Sequence, residues 1–84
     1  MGPRMSLILQ RHHKNVQDAA SAYRLSLDEI EGHLRIRAMS NDASPAELAL
    51  LMRLKDEKAA ILRRYENLGE AFKALIQISG MAAE

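Results

Sequence analysis

The residues best suited to chemistry are His12 and His13, His33, the two tyrosines and a scatter of arginines. A helical metal site needs ligands three or four residues apart on one face. Adjacent histidines on a helix point about 100° apart, and the i+4 positions of His12 and His13 are Val16 and Gln17. The pair therefore reads as a solvated basic turn, with His13 partly in a packing seam, and His33 reads as exposed among polar neighbours. No metal and no cofactor is expected. Ser-His-Asp, HExxH and phosphate-cradling glycine patterns are missing from the sequence. A small helical mutase would need several arginines and a carboxylate gathered inside a bundle, yet Arg24, Arg35, Arg53, Arg63 and Arg64 fall off the apolar seam. The chain is expected to be no enzyme.

Binding chemistry is little better served. Arg11, Lys14, Arg24, Arg35 and Arg37 could form the face of a small nucleic-acid-binding hairpin dimer, but Asp18, Asp28, Glu29 and Glu31 interrupt it. Twelve Lys and Arg against eleven Asp and Glu leave a formal charge of +1, too balanced for a dedicated polyanion binder. Tyr23 and Tyr65 read as core-facing aromatics, since base stacking would need several aromatics interleaved with basic residues. Neither small-molecule substrate nor nucleic acid is the expected partner.

The elements that position these residues are two long helices. Leu9, Val16, Tyr23 and Ile30 recur at sevens, and His13, Ala20, Leu27 and Leu34 recur at sevens offset by four, which is the a/d seam of a helix packed lengthwise on another. In the second half Leu51, Leu54, Lys58, Ile61, Tyr65, Leu68, Phe72 and Leu75 run at alternating threes and fours. Between them Ser44 can cap, Pro45 suits the first helical position and Glu47 completes a capping box. Pro45 also disfavours the α region for Ser44, so one continuous helix is not expected. The expected organisation is a disordered or adventitious start over 1–5, then one all-α antiparallel two-helix hairpin over 6–84. Its helices span about 6–39 and about 45–79, with a turn at 40–44 and Gly80 as the stop.

A short connection makes the helices antiparallel neighbours. Folding about Asp42 sets Leu34 near Leu51, Leu27 near Lys58, Ala20 near Tyr65 and His13 near Phe72, with Lys58 either snorkelling or meeting Glu31. Gly69 inside the second helix costs about 1 kcal/mol against Ala, which implies a tight contact or a kink.

Eighty-four residues without cysteine make a core worth only about 3–5 kcal/mol with no disulfide to help. A two-helix hairpin encloses no interior, so a protein partner or a second copy is expected to complete a bundle. The expected contact surface is the surplus apolar residues Leu50, Leu62, Ile76 and Ile78 of the second helix, with Phe72 and Leu75 near the open end. Replacing Phe72 by Ala and Ile76 by Asp is then expected to abolish association and leave the chain helical. No apolar run approaches the about 20 residues of a membrane span, and the apolar start is too short for a signal peptide. The expected location is cytosolic, or exported by a route that cleaves no signal.

The stretch DASPAELALL, Asp42 to Leu51, resembles the hairpin junction of small proteins of bacterial type III secretion systems. The likeness covers the turn, the start of the second helix and the general layout. It implies a helical hairpin in one of two roles, a self-assembling needle subunit or a co-chaperone that pairs with a helical-repeat partner and keeps the needle subunit from polymerising. Needle subunits usually have a second proline earlier in the turn, where this chain has Asn41 and Asp42. They have a polar, Asn-containing middle of helix 2, where this chain has DEKAAILRRYENL. The resemblance therefore implies a chaperone or co-chaperone, with the needle-like subunit as the alternative.

Overall fold

A computed structural model describes residues 3–82. It contains helix α1, Pro3–Ala38, and helix α2, Pro45–Ala82, packed as an antiparallel hairpin. The expected all-α hairpin is the fold. The rod measures 64 × 14 × 13 Å with a radius of gyration of 18.7 Å, against about 12 Å for a compact chain of this length. Elongation of that degree leaves the helices only each other to pack against.

The turn is built as its residue types dictate. The Glu47 amide donates to Ser44 Oγ at 3.0 Å, and Leu48 N–H donates to the Ser44 carbonyl at 3.1 Å, so Ser44 is the N-cap and Pro45 the first helical residue. At the other side α1 ends by tightening, with Ser40 N–H donating to the Arg37 carbonyl at 3.1 Å. Ser40 Oγ then donates to Asp42 Oδ1, which takes the backbone out of the helix.

Both outer ends run further than the sequence suggests. α1 begins at Pro3 rather than near residue 6, because proline is compatible with a first helical turn whose N–H groups lack intrahelical partners anyway. α2 continues through Gly80 to Ala82. Among the described residues no glycine adopts a left-handed conformation, so Gly80 is not the C-terminal stop. Ser79 is only 2% exposed one residue before Gly80, so the helix is packed right up to that position.

Facing residues carry numbers that add to about 85, as in Val16 with Gly69, His12 with Phe72 and Arg37 with Glu47. The register inferred from folding about Asp42 is therefore the observed one to within a residue or two. In an antiparallel coil each a residue faces a d residue across the seam. That rule selects the inward row of buried and half-buried positions on α2, Leu48, Leu51, Lys55, Lys58, Leu62, Tyr65, Gly69, Phe72, Ile76 and Ser79, with Glu47, Ala59 and Ile61 half-buried beside it.

Here the structure corrects the expected seam. Leu51, Lys58, Tyr65 and Phe72 are where the periodicity places them. Leu54, Leu68 and Leu75 are exposed, and Ile61 only flanks the contact. Lys55, Leu62, Gly69 and Ile76 take the inward places instead. Only Ala20 and Leu62 are buried apolar residues among those described.

Candidate interaction surface

The polar groups are disposed along the seam and do not converge. The Tyr23 and Tyr65 rings meet at 5.4 Å between centroids, tilted by 32°. Lys58 Nζ sits over the Tyr23 ring at 5.3 Å, so the seam lysine is held by a ring face rather than by Glu31. His12, not His13, reaches Phe72, stacking at 6.0 Å. His13 is half-buried and His33 exposed. Among the described residues no three His, Cys, Asp or Glu side chains come close enough to hold a metal ion.

Most of the arginines that the sequence offers for chemistry or nucleic acid have no shared focus, and several are neutralised singly. Arg24 meets Glu66 at 3.2 Å across the two helices, and Arg53 meets Glu57 at 3.3 Å along α2. These exposed pairs are worth at most about 1 kcal/mol each. Arg37 makes the best-formed contact, donating from Nε and Nη2 to the two Glu47 oxygens at 2.7 and 2.9 Å.

Gly69 explains its own cost. A Cβ built there would lie 3.7 Å from Val16 Cγ1, so glycine marks a layer where the helices approach closely without being forced to. Beside this layer, an open groove of about 550 Å³ is lined by residues such as Ala20, Arg24, Glu66 and Gly69. Small side chains in the seam leave this space, and its rim is polar.

The two broad faces of the rod differ sharply. One flank presents Gln10, Gln17, Arg24 and Glu31 from α1 and Glu66 and Lys73 from α2, and Arg24 with Glu66 ties it across. On the opposite flank, Leu54, Ile61, Leu68 and Leu75 recur at sevens along α2, joined by Leu50, Ala71 and Ile78. These are the residues that fall beside the seam once the corrected phase is applied. Ala19, Ala22 and Ser26 give α1 a low profile on the same side, with Met5, Ile8 and Ile36 toward its ends. Of the twelve large apolar side chains exposed among the described residues, eight lie on this face: Met5, Ile8, Ile36, Leu50, Leu54, Leu68, Leu75 and Ile78.

The six residues expected to contact a partner are thus divided. Leu50 and Ile78, at 62% and 59% exposure, and Leu75 lie on the apolar face. Leu62, only 9% exposed, is spent inside the hairpin, where half-buried Phe72 and Ile76 join it. Changing Phe72 and Ile76 therefore damages the hairpin itself. Leu54 and Leu68, assigned to the seam from periodicity, belong to the outer face. The signal that could have found them was the antiparallel layer rule. With Leu34 level with Leu51, Val16 must be level with residue 69 and Tyr23 with residue 62. Apolarity hid this, because Lys55 and Gly69 look unlike seam residues and Leu54 and Leu68 look exactly as seam residues should.

Among the described residues no helix is long and apolar enough to cross a membrane. No protein-family model, curated protein or solved structure matches this chain.

Proposed function

We propose that this protein is a non-catalytic docking hairpin that works by seating the apolar face of α2 against another helical surface. The single observation that carries the reading is the concentration of eight of twelve exposed large apolar side chains on one face. Scattered apolar residues are ordinary on any surface, whereas a band of them along one helix face, here crossed by Glu57 and Arg64, marks an interaction site. An amphipathic helix offers such a band as anchors at alternating threes and fours, which is how helices enter apolar grooves. The hairpin also gains by being covered, since two buried apolar residues make little core.

The resemblance of the turn to type III secretion hairpins supports a specific form of this reading, a co-chaperone that holds a helical partner. The expected contact set is Leu50, Leu54, Leu68, Leu75 and Ile78. Leu68→Asp together with Leu75→Asp should abolish association while circular dichroism shows unchanged helix content. Gln17→Glu, on the opposite face, should leave association intact. Wild-type association by the double aspartate variant would overturn the assignment of the face. Failure to bind the helical-repeat chaperone and needle subunit of a secretion system from the same host would remove the secretion role.

A further inference from the structure

We infer that the apolar face is self-complementary, and that its occupant is a second copy of this chain with the two α2 helices antiparallel about a dyad between Leu62 and Arg63. The inference rests on the docking role proposed for that face and names its partner. The outer stripe of α2 has the a/d spacing of a coil: Leu54, Ile61, Leu68 and Leu75 form one row. The second row, Leu50, Glu57, Arg64, Ala71 and Ile78, alternates with the first. An antiparallel pairing must set one row against the other. Placing residue n level with residue 125 − n, roughly centring the stripe on itself, satisfies that rule.

In this register Leu54 meets the partner's Ala71, large against small, and Leu75 meets the partner's Leu50. The two charged members of the stripe decide the direction. Along one side of the seam the order becomes Glu57, the partner's Arg64, Arg64, the partner's Glu57, separated by about 6, 4.5 and 6 Å along the axis at 1.5 Å per residue. Each arginine is flanked by a carboxylate of the other copy, and the two positive charges lie inside the two negative ones. A parallel pairing would instead set Glu57 against Glu57 and Arg64 against Arg64. Glu57 is already exposed and, among the described residues, pairs with Arg53 of its own helix, so it is available for exchange.

A second relationship follows from the hairpin register without further choice. Residue n of α1 lies level with about residue 85 − n of α2. The same dyad therefore brings Ile8 within a residue of the partner's Ile36. Both are exposed and on the same face. The resulting assembly is an up-down-up-down four-helix bundle. Residues 50 to 78 span about 42 Å, and a band of that length across a rod 14 Å wide has a flat footprint of roughly 600 Å². That footprint is of the same order as the about 800 Å² per partner buried in a stable interface.

The test is light scattering of the purified chain with a charge-reversal cycle. The wild type should elute at twice the 9.4 kDa chain mass. Glu57→Arg makes the row four positive charges and Arg64→Glu makes it four negative ones. Each should weaken dimerisation about tenfold or more, and the double reversal should restore it. The chain has no cysteine, so an equal mixture of Leu54→Cys and Ala71→Cys chains should form an intermolecular disulfide that neither forms alone. A monomer at about 100 μM, or crosslinking by Leu54→Cys alone, overturns the inference and leaves the docking face standing. A dimer untouched by Leu68→Asp overturns both.

Discussion

Arg37, in the last turn of α1, clamps Glu47, in the first turn of α2, with two hydrogen bonds of 2.7 and 2.9 Å, and reaches Asp42 of the turn between them at 3.4 Å. A planar guanidinium matched to both oxygens of a carboxylate is geometrically selective in a way that a lysine contact is not. One side chain thereby holds both helix ends and the connection.

That clamp gives the hairpin an acid-sensitive end. Hydrogen bonding from Arg37 is the main cause that lowers the Glu47 pKa below its ordinary 4.5. The Ser40 hydroxyl, and then the charge of Arg37, lower Asp42 below 3.8. A carboxylate with a lowered folded pKa contributes stability above its unfolded pKa and loses it as pH falls through the folded value. Thermal melts should therefore hold steady from neutral pH to about pH 5 and decline below about pH 4.5. Glu47→Gln should be less stable at pH 7 and show a shallower acid decline; an identical decline would show that another group is responsible.

Replacing Gly69 by Ala should stabilise the hairpin by about 1 kcal/mol, the helix-propensity difference. The new methyl would meet Val16 Cγ1 at 3.7 Å, ordinary contact. Urea denaturation of the two proteins measures the difference. A loss of stability would mean that the helices cannot accommodate even that group.

Leu62→Ala and Leu54→Ala should behave differently although both remove a leucine from α2. Leu62 is buried in the seam, so its truncation should cost about 2–3 kcal/mol of folding stability. Leu54 is exposed, so the same change should cost less than about 1 kcal/mol in the isolated hairpin. Comparing the two by chemical denaturation at concentrations low enough to exclude association checks the phase of α2. Equal costs would restore the phase that periodicity alone suggests.

Ser44→Ala removes the oxygen that accepts the Glu47 amide and should destabilise by about 1 kcal/mol, while Ser44→Gly should cost only a few tenths. Thermal melts at pH 7 distinguish the two. Indifference to both changes would show that the turn holds without its cap.

Local chemistry accounts for what could be read from the chain. Ser44, Pro45 and Glu47 act within four residues of one another, so the start of α2 is determined wherever the rest of the protein goes. The hairpin register is also legible, because a turn centred on Asp42 leaves little freedom in which residues lie level. Gly80 shows the limit, for glycine permits a helix stop without imposing one, and α2 runs past it to Ala82.

By itself, then, the sequence determined two helices, their cap, their antiparallel direction and their register, all of which follow from backbone chemistry and chain geometry over short distances. Only the tertiary structure decided which of two neighbouring rows on α2 faces α1. Leu54, Ile61, Leu68 and Leu75 offer more apolar surface than Lys55, Leu62, Gly69 and Ile76, yet the second row lies inward. The reason is the layer rule of an antiparallel coil, in which Val16 and Tyr23 must meet the residues level with them, Gly69 and Leu62, whatever those residues are. Packing geometry thereby turns the more apolar row outward, and the surface left open is the one on which the proposed function rests.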